Sequence, residues 1–301
     1  MRLAAAAYPV EALRDWAALE TKLTDWVERA ASEGTDLTIF PEYAGMEAVF
    51  SSGKREKART PHEQIRADAL TSAGAAEHYR DLIAELARHH GLYLVAGSLV
   101  VRDDNLLRNR AYLAGPEGII GWQDKCILTP WERSTGVLSP ARMLQRFDLP
   151  FGRFGILICY DCEFPLLARK LKADVIAVPA CTEDLAGQTR VQIAARARAL
   201  ESQCITLHAP LLGSVTECAW IDQNTGSAGI FGPPDEGFPA DGILALSQMD
   251  KAGWSFATLA PKALRQTRES GQVALRRDWI KSESCALGDA AVQSDPTAPL
   301  K

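Results

Sequence analysis

Apolar positions along the chain alternate between short continuous runs and helical stripes. Leu3–Tyr8 is an unbroken apolar run, the pattern of a strand buried on both faces. Ala12–Ala31 carries Leu13, Trp16, Leu19, Leu23 and Trp26 at spacings of three and four, which predicts an amphipathic helix. Asp36–Phe40 reads as a second strand closed by Pro41, and Glu63–His90 as a long helix ended by Gly91, with a polar loop over 51–60 between them. Leu92–Arg102, Leu107–Ala114 and Ile119–Asp124 read as consecutive strands with turns at Asp103–Asp104 and Gly115–Pro116. Met143–Leu149 and Phe154–Cys159 form a strand pair around Pro150–Gly152. A short helix over Glu163–Leu171, a strand over Asp174–Pro179, a long helix over Leu185–Gln203 and a strand over Ile205–Leu211 follow. Ser227–Phe231, Ile243–Ser247 and Ser255–Leu259 complete the strands. Strands alternate with helices while several neighbours are hairpins, which predicts an α/β fold with mixed sheets.

The 301 residues show no internal repeat and no Pro/Gly/Ser linker, so one domain over 1–284 is expected. From Cys285 the chain is rich in Ala, Asp, Pro and Ser, and 285–301 are expected to form a mobile tail. Gly (22) and Pro (16) are too few for a low-complexity chain, which needs roughly 25–30% of the two. The net charge of −5, without a run of five like charges, gives no footing for nucleic acid or an anionic membrane surface. No window approaches the roughly 18 apolar residues of a membrane span. The N-terminal apolar stretch is interrupted by Pro9 and Glu11, so it reads as a strand and not as a secretory signal. Seven cysteines, an odd number, are expected to be mostly reduced thiols in a cytoplasmic protein.

Candidate chemistry gathers where apolar strands end. Gly155–Pro165 reads GILICYDCEFP, placing Cys159 on a turn between a strand and a helix starting near Glu163. Free N–H groups at a helix start lower a thiol pKa, and the thiolate is the nucleophile. A cysteine there could equally be a small buried hydrophobe. Cys159 and Cys162 also form a C-x-x-C that a thiol redox pair could use, whereas zinc lacks a second pair of ligands. None of the five histidines has a recognisable cysteine-protease context. Glu42, just beyond a strand and Pro41, and Lys125, following the strand that ends at Asp124, are the other candidates. Taken singly, each is ordinarily a solvated surface charge.

In order, the P-E of Pro41–Glu42, Lys125 and Cys159 resemble the Glu–Lys–Cys signature of the nitrilase superfamily of carbon–nitrogen hydrolases. Lys125–Glu132 is similar to the family's lysine segment, with a second Glu seven residues on. Arg196–Gln203 resembles the helix that follows its nucleophile, and Asn224–Gly242 its late loop. The resemblance covers roughly residues 1–265. The chain departs from the family pattern at Leu166, where Glu is common, at His208, where many relatives carry Asn, and at a late loop lengthened by Asp235–Asp241. It looks most like a poorly characterised bacterial, amidase-like branch. Some members of that branch carry an added acetyltransferase-like domain, which is not expected within this length.

The resemblance implies a four-layer α-β-β-α sandwich of two mixed sheets, and a homodimer or larger homo-oligomer formed through helices beside the site. The helix after residue 184 is the candidate interface element. The resemblance also implies Cys159 as nucleophile, Glu42 as general base and then acid, and Lys125 with the Tyr160 backbone N–H as oxyanion donors. Glu132 is expected to support Lys125 or the attacking water. Trp131, His208 and Trp220 are candidate substrate contacts, and Arg133 or Arg190 could meet a substrate carboxylate. No cofactor or metal is implied. The expected substrate is a small amide or a nitrile, a choice the triad leaves open, as are a redox C-x-x-C protein and a catalytically silent scaffold.

Overall fold

Ala4–Ala7 have weak intrinsic strand preference, yet Arg2–Pro9 forms the first strand, β1, because both of its faces are covered. Leu3, Ala5 and Ala7 enter one core cluster, while Ala6 and Tyr8 enter another. The computed structural model describes residues 1–260 and 262–286. After β1 come α1 (Trp16–Ser32), β2 (Leu37–Phe40), the short α2 (Ala48–Ser51) and α3 (Pro61–His90). Next are β3 (Tyr93–Asp103), β4 (Leu106–Gly115), β5 (Gly118–Asp124), α4 (Pro130–Thr135), β6 (Arg146–Leu149) and β7 (Gly152–Ile156). Then follow α5 (Pro165–Leu171), β8 (Val175–Ala180), α6 (Leu185–Ser202), β9 (Ile205–Leu212), β10 (Gly229–Phe231), β11 (Ile243–Leu246) and β12 (Gly253–Thr258). The described part closes with α7 (Ala263–Ser270) and α8 (Leu275–Ala286).

The strands form a large mixed sheet system in the order β5-β4-β3-β2-β1-β9-β8-β7-β6. β12 pairs antiparallel with β1, while β10 pairs with β9 and carries β11. The β1–β2 and β2–β3 pairs are parallel, as are β7–β8 and β8–β9. Along the sheet the two halves join, among the described residues, where Tyr8 pairs with Leu211 and Pro9 with Leu212. Leu3, Leu37 and Ile39 from one half meet Ile156, Ile176 and Leu207 from the other in a shared cluster. The opposite face of β1 and β2, with Tyr8 and Phe40, is covered by α1 and α3. The fold is therefore mixed α/β, with both faces of the central strands buried.

The sequence places the long elements up to β12 within a few residues and gives no reading of α7 or α8. It differs at the Cys159 turn, where the expected strand to Cys159 stops at Ile156. Cys159–Glu163 is a 3₁₀ turn held by Asp161 N–H to the Ile158 carbonyl, and α5 starts two residues later than expected, at Pro165. The helix α8 runs across the expected boundary at 285, so Cys285 and Ala286 belong to it, and the rest of the expected tail lies outside the described residues.

Candidate active site

Three strands bring the site together from their C-terminal ends. Pro41 stops β2 and puts Glu42 beyond it, Lys125 follows β5, and Cys159 lies three residues past β7. Glu42, Lys125 and Cys159 all line one cavity of about 370 Å³. Two backbone conformations aim the side chains: Tyr43 has φ 60° and Cys159 φ 48°, both in the left-handed region. Non-glycine residues there are uncommon and cluster at functional sites.

Lys125 is buried, and its Nζ lies 2.8 Å from Glu42 Oε1 and 2.8 Å from Glu132 Oε2. Glu42 Oε1 also accepts from Asn109 Nδ2 at 2.8 Å. The Asn109 carbonyl accepts the Lys125 N–H at 2.9 Å, so one residue of β4 holds both charged partners. Glu132 is the third residue of α4 and completes a capping box with Thr129. Its Oε2 accepts the Thr129 N–H at 2.7 Å, and its Oε1 accepts the Tyr43 hydroxyl at 2.5 Å. Asp161, two residues past Cys159, accepts the Cys126 and Ile127 N–H groups at 3.1 and 2.7 Å. It thereby fastens the segment after Lys125 to the cysteine turn.

These surroundings set the protonation states. Burial, then the charge of Glu42, push the Cys159 thiol well above its ordinary value, outweighing Lys125. This differs from the expected helix-start thiolate, because the turn buries the sulfur among carboxylates. Burial raises Glu42 above the usual carboxylate range against the pull of Lys125. For Lys125, burial favours the neutral amine, but Glu132 and Glu42 hold the ammonium well above its ordinary pKa. Burial likewise works against charge on Glu132, and the Lys125 ammonium with three hydrogen-bond donors reverses it, leaving Glu132 low. The resting arrangement is a neutral thiol beside an ammonium held between carboxylates. Such a set can move a proton from sulfur to Glu42 as the sulfur attacks, leaving negative charge facing Lys125.

Tyr160, Trp131 and Trp220 line the same cavity, as expected from the sequence. Trp220 is buried and donates its Nε1–H to the Ile65 carbonyl at 3.0 Å, and its ring meets those of Tyr43 and Trp131 edge-on. His208 is not brought to the cavity. It lies within β9 opposite Gly229 of β10, wholly buried, and burial lowers its pKa to about 4, so it is a neutral core side chain. Arg190 lines the cavity, but Arg133 does not, and its guanidinium binds the Leu128 carbonyl. Cys162 is fully buried in the core and does not line the cavity, so the C-x-x-C is split between site and core. Among the described residues no group of three or more His, Cys, Asp or Glu is arranged to hold a metal ion.

Sequence reasoning missed Asn109, Tyr43, Asp161 and Cys181. The polar run Arg108–Asn109–Arg110 inside a strand was a signal for the first, and adjacency to Glu42 for the second. Cys181 lines the cavity after β8, its carbonyl 3.6 Å from the Cys159 sulfur and its thiol donating to Asn224 Oδ1 at 2.9 Å.

A family model described as carbon–nitrogen hydrolase matches residues 2–223. The probable hydrolase YhcX of Bacillus subtilis is 28% identical over 282 residues, covering 92% of this chain and 53% of its own length. A deaminated glutathione amidase of Yersinia enterocolitica is 30% identical over 146 residues, covering 44% of this chain and 51% of its own. The chain thus matches about half the length of these two curated relatives. Among solved structures, Nit3 of Saccharomyces cerevisiae, a member of branch 10 of the nitrilase superfamily, shares the fold with a TM-score of 0.69 at 20% identity. That match covers 90% of this chain and 93% of the other.

Proposed function

We propose, because this chain belongs to the carbon–nitrogen hydrolase family of the nitrilase superfamily, that it is a cysteine-dependent amidase releasing ammonia from a small carboxamide. One observation carries the reading: Cys159, Lys125 and Glu42 line a single cavity, with Lys125 fixed at 2.8 Å from Glu42. The Cys159 sulfur attacks the amide carbon while Glu42 accepts the thiol proton. Lys125, with the Tyr160 N–H, stabilises the oxyanion. Collapse breaks the C–N bond, and Glu42 returns the proton to the departing nitrogen, giving ammonia and a thioester. Water, deprotonated by Glu42, then attacks the thioester, releasing the acid and restoring the thiol. Glu132 acts through Lys125, whose position it shares with Glu42.

An amidase is preferred because deaminated glutathione amidases and an omega-amidase are among the relatives, against which stand relatives named nitrilase at similar identity, so the amide-versus-nitrile panel decides. The buried Cys162 argues against a redox C-x-x-C, so Cys162→Ala is expected to keep hydrolysis. The apolar outer side of α6, with Leu185 and Ile193 more than 60% exposed, supports a homodimer formed there. All seven cysteines are unbridged, which supports a reducing, cytoplasmic setting. Among the described residues no helix is long and apolar enough to cross a membrane.

The test is ammonia release from a panel of amides, ureas and nitriles, with Cys159→Ala alongside. Release from amides by the wild type alone is the expected result. Release from nitriles with none from amides assigns a nitrilase, and equal release by Cys159→Ala overturns the nucleophile.

A further inference from the structure

The cavity wall has a charge imbalance that the reaction itself does not require. Beyond the Glu42–Lys125–Glu132 group, four more carboxylates line it, on Glu163, Glu183, Asp184 and Asp222, against one further cation, Arg190. Asp184 is occupied as the N-cap of α6, accepting the Gly187 N–H at 2.6 Å. Among the described residues the carboxylates of Glu163, Glu183 and Asp222 make no ion pair within 4.0 Å. The interior group is itself net negative, since one ammonium faces two carboxylates. A half-enclosed wall of one sign focuses its field on whatever enters. Trp131 and Trp220 add an apolar flank, which suits an alkyl chain ending in a cation.

Glu163, which feels the charge of Arg190 without forming an ion pair with it, is the one of these four carboxylates that shares an element with Cys159. It ends the same 3₁₀ turn that Cys159 begins, so the two are on one rigid element. Four residues at about 2 Å rise each put the Glu163 backbone about 8 Å from that of Cys159 along the turn. That separation matches a carboxamide joined to an amine through a short alkyl chain. Resting on the amidase reading above, we propose that this cavity selects amides bearing an amine or guanidinium group, and that Glu163 is the residue that receives the cation.

Two measurements test this, and the first needs no turnover. Methanethiosulfonate reagents carrying an aminoethyl or a sulfonatoethyl group differ mainly in charge. Their rates at Cys159 are followed by peptide mass spectrometry and normalised to the unfolded chain. The cationic reagent is expected to label Cys159 at least about tenfold faster at low ionic strength, with the ratio shrinking in salt. Glu163→Gln is expected to cut the ratio several-fold, with folding checked by circular dichroism. A ratio of one or below, or a ratio untouched by Glu163→Gln, overturns the proposal. In the second measurement, kcat/KM for 5-aminopentanamide should exceed that for pentanamide, the advantage should lie mainly in KM, and Glu163→Gln should remove it. Preference for pentanamide or for glutaramate overturns it. Cation-selective labelling with no amide turned over supports the charge assignment and overturns the amidase reading, so the two failures are separable.

Discussion

At the scale of the residue, Lys125 has two consequences that separate on substitution. In the proposed mechanism its ammonium is an oxyanion donor, and losing one such donor typically costs about 10²–10³ in kcat. It also pairs with both Glu42 and Glu132, which are buried. Lys125→Ala is therefore expected to lower kcat at least a hundredfold and to destabilise the fold by roughly 3–5 kcal/mol, the cost of an unpaired buried charge. Ammonia release and a thermal melt read the two effects independently, and near-wild-type turnover would remove Lys125 from the mechanism. Asn109 makes a subtler prediction. Its Nδ2 donates to the Glu42 carboxylate, so Asn109→Ala removes a bond that favours the ionised form, and the pKa of Glu42 rises further. Glu42 must be ionised to accept the thiol proton, so the acid limb of the kcat/KM profile should move to higher pH. A uniform drop without that shift would assign Asn109 to packing alone. Glu42, Lys125 and Cys159 were singled out in the sequence because each follows a predicted strand and their order resembles the Glu–Lys–Cys signature, whereas singly each reads as an ordinary surface charge or core thiol. Asn109 was not, since its role depends on the pairing of β4 with β5 across a turn. His208 was misplaced because a polar residue on a fully buried strand can face either the site or the core, and its position alone does not tell which.

At the scale of the element, the close approach of β3 to the Pro41–Glu42 corner decides where the base sits. Gly97 has φ 75°, and a Cβ there would lie 2.2 Å from the Pro41 carbonyl oxygen. The register of β3 on β4 shifts between Val95 and Ser98, and the Ser98 hydroxyl accepts the Tyr43 N–H at 3.0 Å. Gly97→Ala therefore strains the backbone by about 1–3 kcal/mol and pushes on the residue before Glu42. It is expected to lower the melting temperature and to reduce kcat at least about tenfold, checked by calorimetry and steady-state rates. The helix α4 was readable in principle, since T-P-W-E is a capping box with Pro at the first helical position. It spans only six residues, too few for an apolar period to emerge. The 3₁₀ turn at Cys159 was hidden for a related reason, because the left-handed conformation of its first residue is imposed by surrounding packing and leaves no local pattern.

At the scale of the molecule, the mixed α/β class followed from strands alternating with helices, but the pairing of β1 with β9 and β12 did not, because pairs over 200 residues apart leave no local trace. The outer side of α6 makes its own prediction. Leu185, Ile193 and Leu200 are 63%, 61% and 39% exposed on one side of that helix. Ile193→Glu is expected to convert a dimer into a monomer in sedimentation, and a monomeric wild type would retire the interface. The pairing of β1 with β12 has a consequence for how the chain is made. During synthesis β1 waits for β12, since Arg2–Ala7 take their antiparallel partners from Gly253–Thr258. Until then that edge offers unpaired N–H and C=O groups to any extended segment nearby. Synthesis at about 5–20 residues per second leaves it open for tens of seconds. A ribosome stalled before residue 253 therefore holds a chain whose strand β1 is still an open edge, exposed to aggregation.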